Sequence, residues 1–240
     1  MSRRLAWRIA ASATLLGLCV PAQAQWTGTR MGHTANTGTK DVNAVIALIA
    51  QCVTKDRPGL VHEWLNILPG TPEEERYFDG HIEDLERCLQ DNRLVVANRE
   101  LVVRPSHLRG PIAIVAARRL IERSPGSFIP AKDSPPWFEA AYKARPAGSS
   151  VNGSMLALQD FGHCVAVNNW AGTRALLLSK PDSRQQRDAV TAITPSLGPC
   201  LTNAATVSLT PANLRAALSE PVYHILDSGS AAPAGSERGQ

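Results

Sequence analysis

This 240-residue chain lacks the short motifs that mark common chemistries. There is no Gly-x-Ser-x-Gly elbow, no phosphate-binding glycine loop and no dinucleotide fingerprint, so the usual hydrolase, nucleotide-binding and dehydrogenase signals are missing. No two cysteines stand at the Cys-x-x-Cys spacing that zinc sites favour. The six histidines are scattered. His62-Glu63 opens like a metalloprotease helix, but Asn66 occupies the place of the second histidine. His81, Glu83 and Asp84 lie among Asp79 and Glu86 and read as a solvated, charged face. No cofactor or metal is expected, and no residue stands out as catalytic.

Excess charge of one sign is also scarce. The chain carries 25 basic and 21 acidic residues, a net of +4. Three of the arginines, Arg3, Arg4 and Arg8, sit at the very start, where no acid accompanies them. Without residues 1–24 the balance is 22 against 21, or +1. A nucleic-acid partner, which needs a clustered basic face, is not expected. Arg118-Arg119 and Arg123 form the one local basic group, at the spacing of an ordinary exposed helix face.

The basic start, the apolar run Ile9 to Val20 and the small residues of Ala22-Gln23-Ala24 together read as a secretory signal, with Gln25 as the mature start. The run falls short of the roughly 20 residues that a span requires, and no transmembrane segment is expected after cleavage. Ser2-Arg3-Arg4 fits the twin-arginine pattern poorly, because Ala6 and Trp7 follow it. Leu18 is too large for a lipoprotein site at Cys19. The expected location is periplasmic or secreted.

Of five cysteines, Cys19 leaves with the signal and four remain, an even number suited to an oxidising compartment. Cys52 and Cys88 are 36 positions apart, and so are Cys164 and Cys200. Shifting the second half back by 112 positions lays Cys164-Val165 on Cys52-Val53, Leu177 on Leu65, Pro181 on Pro69 and Cys200-Leu201 on Cys88-Leu89. After a six-residue deletion, Pro211, Leu214 and Arg215 fall on Pro105, Leu108 and Arg109. The chain is a diverged tandem duplication. Four cysteines allow three pairings, and all three respect the repeat. Pairing within each unit, Cys52–Cys88 and Cys164–Cys200, is favoured because a single ancestral unit held only these two.

Apolar spacing of three and four residues predicts helices. One runs from Asp41 with Val45, Ile46, Ile49 and Val53 on one face; a second carries Leu60, Val61, Trp64 and Leu65. Thr71-Pro72-Glu73-Glu74-Glu75 starts a third, which is expected to continue through Leu85 and Cys88. Leu94-Val95-Val96 and Leu101-Val102-Val103 flank Asn98 and read as a small β-hairpin. A fourth helix opens at Pro105. The second unit repeats the plan over Met155 to Val167, Trp170 to Leu178, Ser183 to Cys200 and Pro211 to Leu226, with Pro195 as a kink and Val207-Ser208-Leu209 as the second hairpin arm. The expected fold is mainly α: a tandem duplication of a four-helix unit with a small β-hairpin and one disulfide per unit. The expected boundaries are signal peptide 1–24, disordered arm 25–40, helical unit 41–123, Pro/Gly-rich linker 124–150, helical unit 151–227 and disordered tail 228–240. The linker holds Pro135-Pro136-Trp137-Phe138, whose aromatics can dock on a unit.

The stretch from about Phe161 to Leu226 resembles exported, cysteine-bearing helical repeat proteins of sphingomonad-type bacteria. The resemblance rests on Cys164-Val165, Arg174-Ala175-Leu176-Leu177, Pro181-Asp182-Ser183, Cys200-Leu201 and Leu214-Arg215, with a fainter copy in the first unit. It implies a helical, exported protein and carries no activity with it. Glu220-Pro221 departs from the pattern, where a continuous helix would be expected.

Arg109 and Arg215 are the matched polar pair. One reading has each forked onto helix-end carbonyls or a carboxylate of its own unit; the other has it contacting an anion or ligand. The expected role is non-enzymatic: binding of a macromolecule, such as another envelope protein, or a structural role in the envelope. The alternative is a periplasmic hydrolase with its site at the interface of the two units, its residues meeting only in the folded chain.

Overall fold

The computed structural model describes residues 40–91, 104–124, 126–146, 151–201 and 209–230. The first unit contains α1 (Lys40–Asp56), α2 (Pro58–Leu65), α3 (Pro72–Gly80), α4 (Ile82–Asp91) and α5 (Pro105–Arg123). A short α6 (Phe138–Lys143) lies in the connecting segment. The second unit contains α7 (Gly153–Asn168), α8 (Trp170–Leu178), α9 (Arg184–Cys200) and α10 (Pro211–Ser230). The 112-position shift lays α1, α2 and the start of α3 on α7, α8 and α9 to within one residue at each N-terminus, and a shift of 106 lays α5 on α10.

The corner before α3 and α9 repeats atom for atom. Gly70 and Asp182 are the matched residues, and both are left-handed, with φ of 70° and 60°. Each backbone N–H donates to the side chain four residues on, Gly70 to Glu74 Oε2 (2.6 Å) and Asp182 to Gln186 Oε1 (2.8 Å). Thr71 and Ser183 then cap the helices by accepting from the Glu74 and Gln186 backbone N–H groups. A corner that satisfies its orphan donors locally survives divergence of the residues around it.

Both disulfides pair within their unit. Cys52–Cys88 ties α1 to α4, and Cys164–Cys200 ties α7 to α9. The units do not keep separate cores. Val45, Ile49, Val53, Trp64, Leu65, Leu108 and Ile112 belong to the same buried cluster as Phe161, Val165, Leu176, Leu177, Ile193, Leu214 and Leu218. α5 packs on α1 and α10 on α7 inside the units, and α5 packs on α10 between them.

The expected fold class needs correcting. The described residues contain helices and no strand, and the β-hairpin is not part of the fold they form. Its arms at 94–96 and 101–103, and the matching positions 207–208, lie outside the described residues. Leu209, the last residue of the second arm, is described and pairs in no ladder; it is exposed just before α10. Among the described residues the first unit also has five helices rather than four. The single helix expected from Thr71 to Cys88 breaks at His81, whose N–H bonds to Phe78 O and whose carbonyl starts α4 by accepting from Asp84. The His81 ring stacks on Tyr77 (4.3 Å between centroids) and Nδ1 donates to the Tyr77 carbonyl (2.8 Å), which holds the break. α10, by contrast, runs through Pro221. Proline removes the donor to the Ala217 carbonyl. That carbonyl lies against Gly162 of α7, where an added Cβ would stand 2.1 Å from the oxygen. The orphaned group thus faces a backbone that only glycine brings so close. The N-terminal arm before residue 40 and the tail after 230 lie outside the described residues.

Candidate functional site

Two polar constellations emerge, one buried between the units and one in a groove. The buried one centres on Arg109 of α5, which is 2% exposed. Its Nη1 donates to the Trp64 carbonyl (3.3 Å) and to Glu74 Oε1 (2.7 Å). Its Nη2 donates to the Leu65 and Ile67 carbonyls (3.0 and 2.8 Å) at the end of α2. Nε and Nη2 fork onto Glu220 of α10, with Nε 3.0 Å from both oxygens. Glu74 also accepts from Trp64 Nε1 (3.0 Å). Burial pulls the guanidinium pKa down, but Glu220 and Glu74 outweigh it and the net shift is upward. The arginine is held charged.

Arg109 therefore does fork onto helix-end carbonyls and a carboxylate of its own unit. It also bridges to the other unit through Glu220, a residue that sequence reasoning had noted only as a neighbour of Pro221. Arg215 does not repeat this. It is 7% exposed, its Nη2 donates to the Ser179 hydroxyl (2.9 Å), and its Nε has no partner. Burial, and then Arg118, pull its pKa down.

The groove, of about 870 Å³, lies between the segment joining the units and the helices of both. Phe128, Ile129, Pro130, Pro135, Pro136 and Trp137 line it from the segment, facing His163 of α7 and His224 and Ile225 of α10. Two histidines fasten this segment. The His163 Nε2–H donates to the Ser134 carbonyl (2.8 Å). Trp137 stacks on His224 at 3.9 Å and 14°, and Trp137 Nε1 donates to Gln159 Oε1 (3.2 Å). Phe128 meets Trp170 edge-on (5.4 Å). The linker aromatics thus rest on the second unit. The His224 Nε2–H donates to the Leu65 carbonyl (3.1 Å), a further tie between units. Burial, then the Arg109 charge, bring the His224 pKa down to about 3, so the ring is neutral in the ordinary pH range.

At the groove rim, α2 of the first unit meets α10 of the second. His62 Nδ1 lies 3.4 Å from Asp227 Oδ2 and 3.1 Å from the Tyr223 hydroxyl, while Asn66 Nδ2 approaches His62 Nε2 (3.4 Å). Burial, then Asp227, raise the Tyr223 pKa. The nearby Ser228 hydroxyl donates to the His224 carbonyl (2.6 Å).

Cys52, Cys88, Cys164 and Cys200 are all consumed in disulfides, so none of them offers a thiol. Among the described residues no group of three or more His, Cys, Asp and Glu could hold a metal. Sequence reasoning missed Glu74, Trp137 as a partner of His224, and the His62–Asp227 pair. Each left a partial trace: Glu74 as one of three carboxylates at a helix start, Trp137 among the aromatics that can dock on a unit, and His62 as the first residue of an incomplete His-Glu motif. Searches of protein-family models, curated proteins and solved structures returned no match to this chain.

Proposed function

We propose that the protein is exported, loses residues 1–24, and acts by contact, taking an apolar segment of another envelope protein into the groove. The observation that carries this reading is the make-up of the groove. Its wall of Phe128, Ile129, Pro130, Pro135, Pro136 and Trp137 is apolar, and both of its histidines give their Nε2–H to backbone carbonyls. That wall supplies apolar contact area, and Glu139, Lys143, Asp227 and Asn66 give the groove a polar side that can hold the ends of a bound segment. Ile129 is 76% exposed there, an apolar side chain for which the fold itself has no use. Two disulfides, and the absence of any described helix long and apolar enough to cross a membrane, are compatible with an exported chain. The test is affinity capture from envelope extract with the wild type and with Ile129→Asp. The substitution is expected to abolish specific capture and to leave the melting temperature within about 2 °C, since the side chain is exposed. Equal capture by both proteins sinks the reading. N-terminal sequencing of the exported protein checks the start at Gln25.

One arrangement favours the alternative of a hydrolase at the interface of the units. His62 and Asp227 come from different units and hold the geometry of a carboxylate-oriented base. Hydrolytic turnover that survives repurification and disappears in His62→Gln would decide for it.

A further inference from the structure

Arg109 and Arg215 are the same residue of the repeat, and their surroundings have diverged in one direction. Arg109 has two carboxylates and three carbonyls. In the second unit Glu74 is replaced by Gln186, whose Oε1 is occupied by the Asp182 N–H. Glu220 is replaced, under the 106-position shift, by Ile114. What remains for Arg215 is the Ser179 hydroxyl, which itself donates to the Leu176 carbonyl (2.7 Å). The charge that acts on it is of like sign, Arg118 of α5. Arg118 donates from Nε to Glu122 (3.0 Å), and its side chain is 47% exposed. The C-terminal end of α8 offers Arg215 a partial negative charge, but not a counter-ion.

A buried charge without a partner is strongly unfavourable, and folded proteins supply one from the chain, a metal or a bound ion. We propose that Arg215 and Arg118 take a small oxyanion, a phosphate or carboxylate group, where α5, α8 and α10 meet, with the Ser179 hydroxyl beside it. The geometry suits such a group. A guanidinium presents its donors in a planar fork that matches two oxygens of either anion. Arg215 is buried and keeps an unpaired Nε, while Arg118 of the facing helix α5 is half exposed. The lowered pKa of Arg215 agrees with a cation lacking its anion. This site is separate from the groove and stands whether or not the groove binds a partner.

The experiment follows the melting temperature of the whole protein against inorganic phosphate and against acetate, with chloride at equal ionic strength and pH as reference. A saturable rise specific to one anion is expected, and the anion that saturates at the lower concentration identifies the group. Arg118→Gln should raise the half-saturating concentration about tenfold, the cost of one charge-assisted bond. Arg215→Met should abolish the response and melt higher than wild type in chloride, because it removes an unpaired buried charge. Ile114→Glu should also abolish the response, by placing a carboxylate where Glu220 serves Arg109. A wild type indifferent to both anions overturns the proposal, as does a response that persists undiminished in Arg215→Met. If Arg215→Met does not fold, an unchanged response in both Arg118→Gln and Ile114→Glu overturns it.

Discussion

Arg109 uses all three of its guanidinium nitrogens in bonds to protein, and a lysine offers one nitrogen at a single point. Arg109→Lys is expected to lower stability by about 3 kcal/mol, and Arg109→Met by about 3–5 kcal/mol, since it strands two buried carboxylates. Urea unfolding of the variants measures both; a loss under about 1 kcal/mol for the lysine would show that the network is dispensable. Arg215→Lys, with one hydroxyl bond to lose, should change stability by no more than about 1 kcal/mol. His224 gives a pH dependence whose sign is fixed. Its folded pKa, about 3, lies below the unfolded value, about 6.5, so the unfolded chain takes up the proton first. The stabilisation is complete above about pH 6.5 and is lost as the pH falls toward 3, by about 2 kcal/mol between pH 7 and pH 5. Denaturant titrations at the two values test this, and His224→Gln should flatten the difference. The contacts of Arg109 within its own unit were legible as one of two readings, but its bond to Glu220 was not. Arg109 and Glu220 are 111 positions apart, and a buried ion pair has no period to read. The repeat marked the two arginines as matched but could not show that only one of them meets carboxylates.

Helices were the most legible elements, because an apolar face repeats every three to four residues, although neither α6 nor the start of α4 was marked. The break at His81 was hidden, since Phe78, Leu85 and Cys88 keep helical spacing across it and are all buried. Valine-rich segments read as strands on β-branching alone, yet tertiary packing decides that preference. Each disulfide closes a loop between helices of one unit. Replacing Cys164 and Cys200 by alanine should cost about 3–4 kcal/mol on the chain-entropy account, and the first pair about the same. Denaturant unfolding with and without reductant checks it; a shift under about 1 kcal/mol would mean that packing alone holds α7 to α9. At the crossing of α7 and α10, Gly162→Ala forces a methyl to within 2.1 Å of the Ala217 carbonyl and 2.9 Å of Pro221 Cγ. Thermal melting should fall by the equivalent of about 2–3 kcal/mol as the helices part. In the first unit the matched residue is Ala50, fully buried, so the methyl is excluded only where α10 presses closest.

At the scale of the whole molecule, two units with one buried cluster should unfold together. Calorimetry is expected to give one endotherm whose van't Hoff and calorimetric enthalpies agree; two resolved transitions would mean that the units are independent. The duplication was legible, from four cysteines and a proline-arginine step, but the union of the cores was not, because a linker of that length permits either arrangement. The helices that join the units, α5 and α10, are the same helix of the two copies. His224 feels the charge of Arg109 and Arg215 feels that of Arg118, and His224 and Arg118 are themselves matched positions. Reciprocity of that kind is what a two-fold axis imposes on an isologous contact. The packing of α5 on α10 thus resembles the contact between two protomers of a homodimer. In a true dimer every substitution appears on both sides of the axis at once, so neither half can be given up. Fusion releases that constraint: one side can grip its arginine with two glutamates while the matched arginine across the axis holds a serine hydroxyl.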